Sequence, residues 1–547
     1  MQVTIPNPEQ LKSLLLEYYN IAPHETADFL SPKYELGDPF LFHDMGRAVE
    51  RIYQAVTSNE HIGIYADYDC DGIPAAVILL DLFKKLDIAD RVHVYIPDRH
   101  DEGYGVSTLG ISGLEKYGVT VIITVDVGIT AVAEIADAQA RGIDVILTDH
   151  HQELASGLPQ AYAVVHPCKS DYPSTDPCGA AMAFHLVRAY VARYGKDAGI
   201  IDGWEKWLLD LAGFATLSDM VPLRGENRAL AGFGLSVMKK TRRVGLQALF
   251  AKNKLMMPML TETDLTFTVA PRLNAASRMD TPQLAFELLS TDSLSRATAI
   301  VDRLDEINAE RKLLVARIVK TAHAHLAGRE LPAIVVVGDL EWRPAVLGLV
   351  ANKLQEHYKR SFFVWGEAGD GVIKGSCRMQ PEHHAALLFQ ALPESALLHA
   401  GGHQAAGGFA VSKEQVHFLE AALNDAASRT EYVEDTSDTS PAIPLPLAAV
   451  TTRHLQAIRQ FAPFGVGNPE PLFLFENVTV DSVKMFGKSK EHIECTVRDI
   501  TGMATTFSFF ASDELIEKLV ADTIISFTGT LEAGWRGGVR IHLKEIT

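Results

Sequence analysis

Short apolar runs and polar turns alternate along the first half of the chain. Residues 61–66, 119–124 and 144–148 are mainly apolar, as expected of buried strands, and residues 73–86 have the apolar spacing of a helix. Because strands that alternate with helices usually pair in parallel, this pattern predicts an α/β domain built on a parallel sheet.

The second half of the chain combines one long helical pattern with a series of short strands. Apolar residues recur on one face of residues 295–326, which predicts a long helix that joins two lobes. A buried strand predicted at residues 333–337 opens the second, smaller α/β lobe. Alternating strands then predict a C-terminal β-barrel of the OB-fold type at residues 478–483, 492–497, 503–510, 524–531 and 539–544.

The length of the chain predicts several domains, because 547 residues exceed what one hydrophobic core usually supports. Residues 431–447 are rich in Asp, Thr, Ser and Pro, which is typical of a linker. The predicted multidomain α/β arrangement is an N-terminal helical segment (1–45), a catalytic domain (46–230), a helical region that includes the long helix (231–330), a smaller α/β domain (331–430), the linker (431–447) and the barrel (448–547).

The composition argues against a membrane protein and against a protein held together by disulfides. No apolar run approaches the ~20 residues that span a bilayer, and the N-terminus lacks the apolar stretch of a signal peptide, so we expect no membrane association. The five cysteines form no CxxC pair, which predicts neither a zinc site nor a disulfide framework and fits a cytoplasmic location. The formal charge of −19 does not exclude nucleic acid, because a basic groove can lie on an acidic protein.

Acidic residues follow each of the three predicted strands. They are Asp67, Asp69 and Asp71 after the first strand, Asp126 after the second, and Asp149 with His150 and His151 after the third. Asp219 follows residues 208–217, which we predict to be a buried helix. The carboxyl ends of parallel strands meet at one edge of a sheet, so the strand-end carboxylates are expected at one site.

Carboxylates that share a site raise each other's pKa unless cations neutralise them. Oxygen ligands with one or two imidazoles suit Mn²⁺ or Mg²⁺ better than a structural zinc ion, which prefers thiolates. Two such ions a few Å apart are the usual apparatus for hydrolysing a phosphate ester. The pattern therefore predicts a phosphoesterase that uses two divalent metal ions.

Two other interpretations compete with a metal site. Taken alone, Asp126 or Asp219 has the features of a helix cap or turn residue, and that alternative stays open for each of them. The segment from Asp67 to Gly72 also resembles the start of a calcium-binding loop. Such a loop needs a helix before it and a Glu at its twelfth position, where this chain has Ile78, so we reject it.

The acidic segments resemble the successive motifs of the DHH phosphoesterase superfamily. They are Asp67-x-Asp69-x-Asp71-Gly72, Asp126-Val127-Gly128-Ile129, Asp149-His150-His151 and Ser218-Asp219-Met220-Val221-Pro222. Residues 401–408, a glycine-rich run around Gly401, Gly402 and His403, are similar to the signature of the associated DHHA1 domain. Further segments at 271–278, 342–351, 375–378 and 464–469 resemble the RecJ family within this superfamily.

The resemblance implies roles for individual residues of the metal site. It implies that the metal ligands are Asp69, Asp71, Asp126, Asp149, His150 and Asp219, with Asp67 either a ligand or a group that orients one. We expect His151 to orient or protonate the phosphate rather than to bind metal, because adjacent side chains do not easily point at one ion.

The substrate is expected to bind mainly to the second lobe. Glycines at 401 and 402 would let backbone N–H groups approach phosphate oxygens, with His403 adding a hydrogen bond; a plain glycine turn is the alternative. Candidate phosphate ligands are Arg99, Arg272, Arg278 and Arg378. In the barrel, Trp535 is a candidate for stacking on bases, although packing inside the barrel is equally open.

For function, the resemblance implies a 5′→3′ exonuclease that releases 5′-mononucleotides from single-stranded DNA in DNA repair and recombination. It implies a monomer that works alongside a helicase and single-strand-binding protein. One alternative is a phosphodiesterase for short RNA or small nucleotides, against which the chain beyond residue 430 argues. Another is an inactive replication scaffold, against which the complete set of acidic positions argues.

Overall fold

The structure is a computed structural model of the chain. It describes residues 5–99, 102–152, 157–174, 176–367, 371–393, 395–430, 441–487, 492–508, 513–534 and 537–547. The chain forms two compact units, a larger one of Asp38–Asp219 with Ser236–Thr436 and a smaller one of Met1–Gly37, Met220–Leu235 and Ser437–Thr547. Within the described ranges, no helix has both the length and the apolar character required to cross a membrane.

The α-helices, in chain order, are α1 (Pro8–Tyr18), α2 (Thr26–Leu30), α3 (Met45–Thr57), α4 (Gly72–Lys85), α5 (Thr108–Glu115), α6 (Val132–Ala140), α7 (Gly179–Tyr194), α8 (Leu209–Ser218), α9 (Gly225–Met238), α10 (Val244–Lys252), α11 (Glu262–Asp264), α12 (Ala270–Met279), α13 (Gln283–Ser290), α14 (Leu294–Leu326), α15 (Leu347–Tyr358), α16 (Ala385–Ala391), α17 (Leu419–Arg429), α18 (Thr452–Arg459) and α19 (Asp513–Lys518).

The strands are β1 (His61–Ala66), β2 (Val92–Tyr95), β3 (Val119–Val125), β4 (Asp144–Thr148), β5 (Ala163–Val165), β6 (Ile334–Gly338), β7 (Ser361–Glu367), β8 (Ile373–Arg378), β9 (His399–Gly402), β10 (Ala406–Val411), β11 (Ile443–Pro444), β12 (Phe473–Phe486), β13 (His492–Arg498), β14 (Met503–Ser508), β15 (Ile524–Ala533) and β16 (Val539–Ile546).

The first sheet of the larger unit is parallel throughout, with strand order β2-β1-β3-β4-β5. Its central strands β1, β3 and β4 are almost fully buried, as their apolar sequences predicted. These are the strands that end in acidic residues, and they are neighbours in the sheet. The predicted parallel α/β domain is confirmed, and its topology brings the three acidic segments to one edge.

The long helix α14 begins after Ser293, whose side-chain oxygen caps it by accepting the amide hydrogen of Arg296. In its first part Ile300, Leu304 and Ile307 are buried, and this part packs on α10 and α12. In its second part apolar residues join the core beneath β6, β7 and α15. The apolar face predicted from the sequence therefore continues from one core into the next, as a connecting helix requires.

The second sheet has strand order β6-β7-β8-β10-β9, with β6 parallel to β7 and the other pairs antiparallel. Its edge strand β6 is covered by α17, because Asn424 and Glu420 bond the amides of Ile334 and Val336 at 3.1 and 2.8 Å. Side chains thereby occupy the backbone donors of an edge that would otherwise invite another strand.

The smaller unit contains the C-terminal barrel. Its strands follow the order β11-β12-β13-β14-β16-β15, and an additional pairing of β12 with β15 closes the ring of the five long strands. This confirms the predicted OB-type barrel. Helix α1 shares the barrel's core, because Leu11 and Leu15 are fully buried among its apolar residues.

Candidate metal centre

Asp67, Asp69 and Asp71 lie between the end of β1 and the start of α4. The amide of Asp67 bonds the carbonyl oxygen of Val125 on the neighbouring strand at 3.3 Å. Oδ1 of Asp69 accepts the amide hydrogens of Asp71 and Gly72 at 2.8 and 3.2 Å, which caps the helix. A Cβ on Gly72 would lie 2.6 Å from the carbonyl oxygen of Asp67, so this close approach requires glycine.

Asp126 follows β3 and is held in the left-handed region of the backbone, with φ +60°. Its amide donates to the carbonyl oxygen of Thr148 at 3.1 Å, which extends the pairing of β3 with β4 by one residue. Only 2% of Asp126 is exposed. A buried carboxylate on an uncommon backbone conformation is a feature of functional sites.

Asp149 follows β4 and is fully buried. Oδ2 of Asp149 accepts the amide hydrogen of Ile129 at 2.8 Å, and Oδ1 accepts those of His150 and His151 at 2.8 and 3.2 Å. Oδ1 also lies 2.8 Å from Nδ1 of His151. Groups of the chain itself thus engage both oxygens of a residue that the resemblance implied to be a metal ligand.

His150 lies among three carboxylates. Its Nε2 is 3.1 Å from Oδ1 of Asp126, 3.7 Å from Oδ2 of Asp71 and 3.8 Å from Oδ2 of Asp219. Asp219 stands at the C-terminal end of α8, so a helix rather than a strand delivers it. The structure therefore brings this residue, distant in sequence, to the edge of the parallel sheet.

The two adjacent histidines lie close together. Their ring centroids are 4.6 Å apart, and Nδ1 of His151 is 3.8 Å from Oδ1 of Asp126, which His150 also approaches. The reason given above for keeping His151 away from metal, that adjacent side chains diverge, is therefore wrong. Its orienting or protonating role remains a prediction.

Three groups of side chains have ligand atoms within 4.8 Å of one another, which is close enough to share a cation. The groups are Asp126, His150 and His151; Asp71, His150 and Asp219; and Asp67, Asp69 and Asp126. Asp126 and His150 each belong to two of them. Asp149 belongs to none of these groups, as far as the described residues show.

The donor set fits divalent metal ions. Oδ1 of Asp67 and Oδ1 of Asp126 are buried and lack a hydrogen-bond donor within the described part of the chain. Burial, and then the neighbouring Asp69, raise the pKa of Asp71 to about 6; burial, and then Asp71, raise the pKa of Asp219 to about 9. Carboxylate oxygens with imidazole nitrogens are ligands that suit Mn²⁺ and, with water, Mg²⁺.

His151 is poised to carry a proton. Although burial opposes its charge, the hydrogen bond with Asp149 raises the pKa of His151 to about 9. The hydroxyl of Tyr104 is 3.2 Å from Nδ1 of His151, a contact that sequence inspection missed. At neutral pH, His151 is therefore an imidazolium ion within a site of carboxylates.

The N-terminus of α7 is another part of the site that the sequence did not reveal. Its first two amides, those of Gly179 and Ala180, donate hydrogen bonds to the carboxylate of Asp71. The only signal was a run of small residues before an apolar helix, Gly179-Ala180-Ala181, and such runs are common in packed helices.

Arg99 and Arg278 lie on the Asp69 side of the site. The guanidinium of Arg99 is 4.9 Å from the ring centroid of Tyr68. Burial, and then the charge of Arg99, lower the pKa of Arg278 to about 9, while Asp69 acts in the opposite direction. Arg278 also donates to the carbonyl oxygen of Ala345 at 2.9 Å. Because the two guanidinium groups repel each other, an anion bound between Arg99 and Arg278 would be stabilised.

Arg272 and Arg378 are engaged by the chain itself. Arg272 forms an ion pair of 2.6 Å with Asp305 and donates to the carbonyl oxygen of Thr268 at 2.7 Å. Arg378 is half-buried at the end of β8 and donates to the carbonyl oxygen of Cys377 at 2.8 Å. To grip a phosphate bidentately, Arg272 would have to give up its partners.

Gly401, Gly402 and His403 lie on the hairpin that joins β9 to β10. A Cβ on Gly402 would lie 2.5 Å from the carbonyl oxygen of Ala406, so this glycine serves the hairpin itself. A Cβ on Gly401 would have no atom within 4 Å, and Gly401 is exposed. Burial, and then the charge of His151, lower the pKa of His403. Trp535 lies outside the described residues.

Three family descriptions match the chain. Residues 61–215 match the DHH family, N-terminal domain, residues 330–429 match the DHHA1 domain, and residues 442–545 match the RecJ OB domain. These ranges cover the parallel sheet, the second sheet and the barrel.

Curated relatives and a solved structure agree with these matches. The single-stranded-DNA-specific exonuclease RecJ of Bacillus subtilis is 33% identical over 97% of this chain and 68% of its own length. The protein of the same name from Salmonella typhimurium is 30% identical over 78% of this chain and 76% of its own length. The crystal structure of RecJ from Thermus thermophilus in complex with Mn²⁺ superposes with a TM-score of 0.80 and 26% identity, covering 98% of this chain and 75% of that one.

Proposed function

We propose, since this chain belongs to the RecJ family of single-stranded-DNA-specific exonucleases, that it is a metal-dependent nuclease that removes nucleotides from the 5′ end of single-stranded DNA. The observation that carries the proposal is the convergence of Asp67, Asp71, Asp126, His150 and Asp219. These residues come from separate segments of the sequence and meet at one edge of the parallel sheet, where two of their oxygens are buried without a donor.

We propose that two divalent ions, Mn²⁺ or Mg²⁺, bind among the three overlapping groups of ligand atoms, two of which contain Asp126 and two of which contain His150. When bound, such ions neutralise the phosphodiester, lower the pKa of a bound water and stabilise the leaving oxygen. Asp149 is better placed to orient His150 and His151 than to bind metal, because among the described residues it belongs to none of the three ligand groups and its Oδ1 bonds both the amide of His150 and the ring of His151.

His151 supplies a proton or a hydrogen bond to the phosphate. Asp149 accepts a hydrogen bond from Nδ1, which leaves Nε2 as the donor to a phosphate oxygen or to the departing 3′ oxygen. In the metal-free site, the hydrogen bond with Asp149 raises the pKa of His151 to about 9, which favours the protonated ring at neutral pH. The hydroxyl of Tyr104 lies 3.2 Å from the same Nδ1 and 3.5 Å from Nε2, and the two rings pack edge to face, which limits rotation of the imidazole.

The hairpin of the second sheet and the arginines hold the strand. Gly401 is exposed and has open space above its Cα, so a phosphate can approach its backbone closely. The charges of Arg99 and Asp69 both act on Arg278, and a 5′ phosphate next to the scissile bond would reduce the repulsion between the two guanidinium groups. Contacts to the phosphates and to the metal site give no sequence preference, which suits an exonuclease.

Release of 5′-mononucleotides, a monomeric state, a cytoplasmic location and cooperation with a helicase and single-strand-binding protein are parts of the same proposal. They depend on the resemblance to the family and not on a contact in this chain.

The proposal is tested by digestion with Mn²⁺ of single-stranded DNA, duplex DNA, single-stranded RNA and a dinucleotide. A 5′-labelled single strand should yield labelled mononucleotide at once, whereas a 3′-labelled strand should shorten gradually. Asp126→Ala should abolish both reactions while still binding the strand. Preferred cleavage of the dinucleotide or of RNA, or gradual shortening of the 5′-labelled strand, would contradict the proposal.

A further inference from the structure

The N-terminus of helix α7 bonds one carboxylate of the metal centre through two consecutive amides. The amide of Gly179 donates to Oδ2 of Asp71 at 2.5 Å, and the amide of Ala180 donates to Oδ1 at 2.7 Å. First-turn amides have no partner within their own helix, so Asp71 takes the place of a capping residue. Both oxygens are thereby fixed, although residues 71 and 179 are 108 positions apart in sequence.

A second carboxylate lies against the same residue. A Cβ on Gly179 would lie 2.4 Å from Cβ of Asp126 and 2.6 Å from its Oδ1. Contacts this short do not occur, so one of the two residues would have to move. Asp126 has little freedom to do so, because its amide is bonded to the carbonyl oxygen of Thr148 and its φ is +60°.

We propose that Gly179 and the amide of Ala180 are positioning elements of the metal centre. A single helix terminus fixes the position of Asp71, which follows β1, relative to Asp126, which follows β3. Neither Gly179 nor Ala180 has a side chain that can bind metal, so both act through the two aspartates. The inference rests on the proposed function in one respect, that Asp71 and Asp126 are metal ligands.

If Gly179 served only to pack α7 against the rest of the larger unit, a different experimental result would be expected. Helix α7 packs extensively on α4, and apolar residues along α7 such as Met182 and Phe184 are fully buried. Docking of the helix therefore does not depend on Gly179. If Gly179 only served docking, its substitution would lower the stability of the protein. If it positions ligands, its substitution also lowers the affinity of the folded variant for metal, which a role in docking alone would leave unchanged.

The test compares Gly179→Ala with Gly46→Ala in the full-length protein. Gly46 also lies in the first turn of a helix, α3, but a Cβ there would only touch the end of the Arg193 side chain at 3.9 Å. Binding of Mn²⁺ is followed by electron paramagnetic resonance of the free ion, and unfolding of the metal-free protein by circular dichroism. Gly179→Ala should bind Mn²⁺ about 10- to 100-fold more weakly, in the range for groups that orient metal ligands. Gly46→Ala should bind Mn²⁺ like the wild type.

A second variant covers the case in which Gly179→Ala does not fold. Ala180→Pro removes the other amide donor at a first-turn position, where helices tolerate proline. It should also weaken Mn²⁺ binding by the folded variant, measured below its unfolding temperature.

The outcomes distinguish this inference from the proposed function. Wild-type Mn²⁺ affinity in a folded Gly179→Ala or Ala180→Pro protein overturns the inference and leaves the nuclease proposal intact. Failure of both variants to fold also overturns it, because docking would then be the role of the segment. Failure of the wild type to bind Mn²⁺ instead removes the proposed function.

Discussion

Oδ1 of Asp149 lies 2.8 Å from Nδ1 of His151, and the same oxygen accepts the amide hydrogens of both histidines. The carboxylate therefore fixes the backbone of the His150–His151 pair and the ring of one member. Burial opposes ionisation of Asp149, but the bond with His151 prevails and lowers the pKa of Asp149 to about 2. Two side chains that are neighbours in sequence thus form an ion pair that sets the orientation of the site.

Asp149→Asn should lower the pKa of His151 from its present value of about 9, because the amide carries no charge to stabilise the imidazolium. Loss of a positioned proton donor typically slows turnover by about 10²- to 10⁴-fold. The pKa is read from the histidine resonances in NMR spectra recorded against pH, and turnover from release of mononucleotides. An unchanged pKa in this variant would show that Asp149 does not govern His151; Asp144→Asn, at the other end of β4, is the control.

The metal-free protein should lose stability as pH rises from about 4 to about 9. The pKa values of Asp71 and Asp219 are raised from 3.8 to about 6 and about 9, chiefly by burial. A group with a raised pKa contributes stability that is complete below its unfolded value and is lost as pH rises through its folded value. The raised pKa of His151 acts in the same direction.

Chemical denaturation with a chelator present measures this loss, and Asp219→Asn should flatten the dependence between about pH 4 and 9. Saturating Mn²⁺ should restore stability at high pH, because a cation replaces the protons held by the carboxylates. Stability that rises with pH in the presence of the chelator would mean that the carboxylates are already neutralised by other groups.

Comparison of Gly401→Ala with Gly402→Ala should distinguish a role in DNA binding from a role in packing the hairpin. At Gly401 a methyl group meets nothing within the described protein, so stability should be kept, while the affinity for single-stranded DNA should fall by about 1 kcal/mol if a phosphate approaches this backbone. At Gly402 the methyl group would lie 2.5 Å from the carbonyl oxygen of Ala406, so overpacking should lower the free energy of unfolding by about 1–3 kcal/mol.

Fluorescence anisotropy with a labelled strand, measured with a chelator to prevent digestion, gives the affinity. Urea denaturation gives the stability. Wild-type affinity of Gly401→Ala would favour the alternative of a plain turn.

Arg228→Met should destabilise the smaller unit by about 3 kcal/mol, because buried carbonyl groups would lose their donor. Arg228 is 4% exposed and donates to the carbonyl oxygens of Phe461, Ala462 and Pro463 at 2.8, 3.1 and 3.3 Å. Its guanidinium also lies 3.9 Å from the ring centroid of Phe29. Arg224→Met, at an exposed residue whose bond to the carbonyl oxygen of Gly467 is longer, at 3.4 Å, is the control in urea denaturation. Equal free energies of unfolding for the two variants would contradict the stabilising role of Arg228.

Where the sequence pattern was strong, the fold could be predicted closely. The long helix was predicted at residues 295–326 and is observed at Leu294–Leu326, because its apolar face recurs over many turns. The strands that end in acidic residues were found because apolar runs and carboxylates follow each other directly. Five barrel strands were placed correctly to within a few residues at most of their ends, except that β12 begins at Phe473.

The parts of the site that could not be predicted depend on backbone amides and on hydrogen-bond partners, and the identity of a side chain reveals neither. The amides of Gly179 and Ala180 that bond Asp71 belong to the backbone, and nothing in the sequence marks the helix end that supplies them. Likewise, an Asp after a strand looks the same in sequence whether an oxygen has no hydrogen bond among the described residues, as Oδ1 of Asp126, or is bonded by local amides, as in Asp149. Hydrogen-bond saturation is a property of the folded backbone, so sequence spacing alone does not reveal it.

Helix α1 completes the apolar core of a barrel whose first strand lies more than 400 residues further along the chain. During synthesis at about 5–20 residues per second, Leu11 and Leu15 are made roughly 20 to 90 s before the first strand of the barrel. The core of the smaller unit therefore cannot close until the segments that form the larger unit have been translated.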